Sequence, residues 1–170
     1  DLDAEVFAAV DVNDGNALGS PAFIELTLPA PTTGRSLKVS RDPASAINGD
    51  GQGVLSIGEV VIGGVEEGFL PPNTNLCTAN ISAMTTSQSS AWGGFSTAGA
   101  EAVDGNVATE SHTLGDDDAA TWSVDFGEVM SLQRVEILNR DDCCGDRLRD
   151  ITLRVLDGAG EEVFTSGLLN

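Results

Sequence analysis

The stretch VEILNRDDCCGDRLRDITLRV (135–155) decides how this chain is read. Its two ends extend into RVEILN (134–139) and DITLRVLD (150–157). Both alternate apolar and polar residues, the period of a β-strand with one buried face. Between them runs a polar connection in which Cys143 and Cys144 adjoin, flanked by Arg140 and Arg147. Neighbouring cysteines close a disulfide only through a strained eight-membered ring, which would hold the backbone as a rigid, slightly apolar bump. The arginines supply planar forks of N–H donors aimed at oxygens. A rigid apolar knob beside fixed donors suits a sugar, with hydroxyls on one face and C–H groups on the other. The alternatives are free thiols, a redox pair or metal ligands for the cysteines, and ion pairs with Asp141, Asp142, Asp146 or Asp150 for the arginines. Redox pairs usually hold two residues between their cysteines, and zinc needs further ligands where only Cys77 and His112 remain.

The rest of the chain continues the β pattern. Short alternating runs recur at AFIELTL (22–28), SLKVS (36–40), GEVVIG (58–63), TWSVDFG (121–127) and EEVFTS (161–166), divided by Gly, Pro, Asn and Asp clusters. Seven separate short strands of this kind predict an all-β sandwich or barrel. No stretch sustains the apolar period of a major helix. The 170 residues, 41% of them hydrophobic, suffice for one core.

Acidic residues outnumber basic ones by 27 to 8, a formal net charge of −19, with a single lysine. Phosphate recognition needs Lys and Arg, so this balance argues against nucleic acid and anionic membranes as partners. Most of the acidity reads as a solubilising surface. Membrane insertion is not expected, since no run of 18 apolar residues exists. No basic-plus-apolar leader opens the chain, so an export signal is expected to lie outside it. The three cysteines, two adjacent, predict an oxidising, extracellular or cell-surface setting.

SQSSAWGG (87–94), EAVDGN (101–106), SHT (111–113), TWSVDFG (121–127) and the 135–155 stretch together resemble the fucose-binding lectin family, the fucolectins, within the discoidin or galactose-binding-like superfamily. The resemblance implies a jelly-roll β-sandwich without catalytic activity. It also implies that a histidine and an Arg-x-Asp-x-x-x-x-Arg motif grip fucose-like glycans while a vicinal disulfide stacks on the sugar. The matching positions are His112, Arg140, Asp142 and Arg147, with Cys143 and Cys144 as the platform. A structural Ca2+ ion is implied as well, held by Glu59 and Asp104 and by the backbone of Glu101, Asn106 and Thr109. Some relatives carry a disulfide beside this ion; its positions here, Gly58 and Glu110, are not cysteine. By residue chemistry alone, EAVDGN also reads as a plain Asp-Gly turn, His112 as an inert surface residue, and Trp92 and Phe95 as either core or sugar wall.

The order of the pieces is unusual. Discoidin-type domains open with a segment like NISAMTTSQSS (80–90) and close with one like GRSLKVS…VLSIGEVVIGG, yet here the closing segment (34–64) comes first. Residues 1–64 are thus expected to be the second half of a jelly roll, 65–79 a linker, and 77–170, recognisable from 80, the first half. Lone halves would expose unpaired strand edges and an apolar face. The halves are therefore expected to meet, within one circularly permuted chain or between neighbouring copies, through self-association or tandem repetition. In the second case an open-ended filament results, and a structural filament unit is the rival function. Asn80-Ile-Ser82 is a glycosylation sequon, and DVNDGN (11–16) is a second turn-like cluster. One histidine without a nucleophile or facing carboxylate pair gives an enzyme little support.

Overall fold

The structure, a computed structural model, describes residues 5–10, 21–42, 53–65, 74–75 and 84–169. Cys77, the sequon at Asn80, DVNDGN (11–16) and most of the 65–79 linker lie outside the described residues. The chain runs through β1 (Glu5–Val10), β2 (Pro21–Arg41), β3 (Ser56–Ile57), β4 (Glu59–Val65) and β5 (Thr74–Asn75). It continues through β6 (Thr85–Gln88), β7 (Ser111–His112), β8 (Thr121–Leu138), β9 (Ile151–Leu156) and β10 (Glu162–Thr165). Two single-turn 3-10 segments, Ala100–Val103 and Gly145–Arg147, are the helical pieces among the described residues.

Two strands organise everything else. The second half of β2 pairs with the first half of β8 (Lys38 opposite Ser123) and with β9 (Lys38 opposite Arg154). Farther along, the first half of β2 pairs with the second half of β8 (Ile24 opposite Ile137), and β4 lies on the other side of that half (Val60 opposite Ile137). β6 and β10 extend the first region, β1 and β5 the second. All these pairings are antiparallel. Because both long strands bend midway, one continuous sheet folds over on itself as a β-sandwich. Trp122, Val124 and Phe126 on β8, Leu37 and Val39 on β2, Leu153 and Val155 on β9 and Val60 and Ile62 on β4 share one buried cluster.

The bends correct part of the sequence reading. Segments 22–28 and 36–40 are two halves of β2, and 121–127 and 134–139 two halves of β8, not four separate strands. Pro29, Pro31, Gly34 and Gly127 look like turn signals. Here they mark register shifts between Thr27 and Thr32 and between Gly34 and Ser36, where the ladder resumes after a bulge. At Gly34 a Cβ would sit 2.2 Å from Val155 Cγ1, so the corner of β2 demands glycine.

The front part of the chain meets the back part within one molecule: both β2 and β4 hydrogen-bond β8. No helix among the described residues is long and apolar enough to cross a membrane.

Candidate functional site

Three connections converge at one end of the sandwich. The short ladder between β3 and β7 sets Ser56 opposite His112 and Ile57 opposite Ser111. Thr113 tightens it, its N–H donating to Leu55 O (3.1 Å) while its hydroxyl accepts from Leu55 N (2.9 Å). Ser111, His112 and Thr113 are all buried. The segment after β6 closes on this ladder, with Trp92 N donating to His112 O (3.0 Å) and the Gln88 amide reaching the same carbonyl (3.3 Å). Phe95 stacks on the imidazole at 5.0 Å between ring centroids. Trp92, tilted at 6.1 Å, leaves about half its surface to solvent.

His112 Nδ1 lies 2.7 Å from Thr113 O, an acceptor, so this nitrogen carries the proton. Nε2 is then a lone-pair acceptor, and Arg147 Nη1 donates to it at 2.8 Å. Burial lowers the imidazole pKa from its usual value, and the nearby Arg147 and Arg140 guanidinium groups lower it further. His112 is therefore a neutral ring whose nitrogens are both engaged within the protein.

Arg140 is locked. Its Nε donates to Asp142 Oδ1 (2.6 Å), and Nη2 donates to Asp142 Oδ2 (2.8 Å) and also contacts Glu110 Oε1 (2.9 Å). That bidentate fork holds the Asp142 carboxyl down to about 2. The loop beyond is pinned by Asn139, which donates to Gly145 O (2.7 Å). Cys144 takes a left-handed backbone (φ 60°) before the turn that presents Arg147.

Cys143 and Cys144 are free thiols, so the vicinal disulfide implied by the resemblance is not formed here. Burial, with Cys143 alongside, pushes the Cys144 thiol up to about 11. An un-ionised thiol is a poor nucleophile and metal ligand.

The proposed cation ligands also meet. Loop 101–109 folds on itself: Asp104 accepts from Asn106 N (2.8 Å) and the Thr109 hydroxyl (2.8 Å), and Asn106 O accepts from Thr109 N (3.0 Å). Glu59, at the start of β4, accepts from Gly105 N at 3.3 Å across 46 residues of chain. Its Oε2 is buried with no hydrogen-bond partner, as is Glu101 Oε2. Burial pushes the Glu59 carboxyl up to about 7, and the Asp104 carboxylate adds to the rise against the Gly105 bond. An orphaned carboxylate oxygen facing a second carboxylate is a cradle that fits a hard cation. Among the described residues no three acidic, His or Cys side chains converge, so backbone carbonyls would have to complete the coordination.

Residues 101–166 match the family model described as the NedA-like, galactose-binding domain. Fucolectin-3 of Anguilla japonica is 33% identical over 75 residues, 41% of this chain and 38% of that protein. The chain thus spans well under half the length of this curated relative. Both matches support the discoidin-like superfamily for this part of the molecule. No solved structure matches. The galactose-binding-like stretch carries His112, Arg140, Asp142, Arg147 and loop 101–109, whereas Glu59 comes from outside it.

Two functional side chains escaped the sequence reading. Arg41 is buried and its Nη1 donates to Val54 O and to Arg147 O (3.0 Å), supporting the 140–147 loop from below. Its signal is an arginine at the inward parity of 37, 39 and 41. Glu110 was noted only as a missing cysteine, yet it holds Arg140.

Proposed function

We propose that this chain is a non-catalytic, extracellular carbohydrate-binding module that takes fucose-type sugars beside Arg147 and is stabilised by calcium at Glu59 and Asp104. The supporting observation is the Arg147–His112 pair. A buried neutral imidazole, packed against Trp92 and Phe95, orients the guanidinium of Arg147. In this reading Arg147 donates to sugar hydroxyls, His112 positions it, and Trp92 meets the sugar's C–H face. Arg140 and Asp142 hold the loop, and Asp142 keeps lone pairs toward solvent. Fucolectin-3, named for fucose, supplies the ligand class.

Calcium, when bound, supplies the positive charge that lets both carboxylates ionise together. The ligands are the Glu59 and Asp104 carboxylates with the carbonyls of Glu101, Asn106 and Thr109. The pairing of β2 and β4 with β8 of the same chain supports a circularly permuted domain, with this ion joining its two parts.

The test is a fucose titration followed by tryptophan fluorescence. A handful of charged hydrogen bonds, each about 1.5–3 kcal/mol, gives a monosaccharide Kd on the order of millimolar. Arg147→Ala should weaken it at least about tenfold with the fold intact by circular dichroism. An unchanged affinity in that variant defeats the proposal.

A further inference from the structure

The outward face of the same sheet carries a recess beside the strands rather than at the Arg147–His112 pair. It encloses about 530 Å³ above β8, β2, β9 and β10. That volume is within the usual range for small ligands, roughly 300–1,000 Å³. The register builds its floor in rows. Thr121, Ser40 and Thr152 lie side by side on three neighbouring strands, and the next row is Ser123, Lys38 and Arg154. Hydroxyls therefore line one end and two cations the middle, with Leu156 as an apolar wall, while Arg41 and the carboxylates of Asp42 and Glu162 complete the lining.

The placement of Lys38 sets an ammonium in the recess beside the Arg154–Glu162 ion pair. It is the single lysine of a chain carrying −19, and it stands directly opposite Arg154. Like charges directly opposite across a ladder repel. Arg154 is satisfied by Glu162 (3.0 Å) and the Ser40 hydroxyl (2.8 Å). The side chain of Lys38, a half-buried residue, makes no ion pair or hydrogen bond among the described residues. Its ammonium thus brings three N–H donors to a polar cavity, next to a guanidinium and a row of hydroxyls.

We propose that this recess is a second binding site, for an acidic saccharide whose carboxylate or sulfate group sits against Lys38 and Arg154. Its hydroxyls would exchange hydrogen bonds with Ser40, Thr121 and Thr152. The site does not rest on the fucose-type reading, since Lys38, Arg154 and the hydroxyls that would hold the ligand are distinct from Arg147 and His112, although Arg41 in its lining donates to Arg147 O. In so acidic a molecule the local positive spot also selects against binding elsewhere on the surface.

Isothermal titration of the full chain at low ionic strength tests this with glucuronic acid and N-acetylglucosamine 6-sulfate, each beside its neutral parent, glucose and N-acetylglucosamine. Binding of one or both acidic sugars, absent for the neutral parents, is expected, and which one binds identifies the charged group. Lys38→Gln should weaken that binding at least about tenfold with an unchanged melting temperature, and Lys38→Arg should retain it. Arg147→Ala should leave it untouched while losing fucose, so the two sites fail separately. Equal binding of acidic and neutral sugars, no binding by either acidic sugar, or full binding by Lys38→Gln overturns the proposal.

Discussion

His112 concentrates the chemistry of the proposed sugar site in one ring. Its folded pKa lies below the ordinary 6.5, chiefly through burial. As pH falls through 6.5 the unfolded chain takes up a proton that the folded ring refuses, so stability is lost until the lowered folded pKa is reached. Above 6.5 this contribution is complete. Glu59 acts in the opposite sense, because its raised carboxyl favours the folded state as pH falls from about 7 toward 4.5. Wild type and His112→Asn should therefore be compared. The difference between their denaturation midpoints should shrink as pH drops below 6.5, and a pH-independent difference would refute the neutral, buried ring. At the same scale, Glu110→Gln removes one carboxylate from Arg140, which keeps Asp142. A loss of about 1–2 kcal/mol in urea unfolding is expected, with a weaker fucose response as the loop loosens.

Among the elements, the short linkage between β3 and β4 shows how strand packing positions the site. Gly58 donates to Leu138 O at 2.9 Å, and a Cβ there would lie 2.6 Å from Asn139 O. That carbonyl is backbone and cannot swing aside. Gly58→Ala should cost about 1–3 kcal/mol, like other overpacked contacts, and displace the Asn139–Arg140 segment. Melting curves and fucose titration should both register it, and a silent substitution would contradict the close approach. The same contact leaves no room for a side chain at position 58, and Glu110 is engaged with Arg140. Element identity was legible where alternation was strong, as at 150–157 and 161–166, which became β9 and β10. The polar strand β6 (TTSQ) and two-residue β3 and β7 carry too little apolar signal to be found locally.

At the scale of the molecule, the Glu59–Gly105 contact ties β4 to loop 101–109, two segments far apart in the chain. A cation bound there stabilises the folded state by mass action. Added calcium should raise the melting temperature by several degrees at concentrations well above Kd, since about 1 kcal/mol corresponds to about 2–4 °C at this size. Glu59→Gln should abolish the gain, and a calcium shift that survives it would remove Glu59 from the ligand set. If the proposed sugar site binds with the millimolar affinity expected of it, tight glycan attachment would require multivalency.

By itself the sequence determined the all-β class, the buried faces of the strands and the cluster of donors from 140 to 147. These follow from local period and side-chain chemistry, which need no knowledge of distant partners. Only the tertiary structure decided that 21–41 and 121–138 are unbroken bent strands, that Arg147 takes the lone pair of His112, and that Arg41 supports the loop from beneath. It also decided that Cys143 and Cys144 stand as thiols and that Lys38 faces Arg154. Alternation tells which way a residue points but not which strand lies beside it. Register, bends and the fate of a buried charge depend on contacts between segments more than a hundred residues apart, as between Arg41 and Arg147 (106 residues).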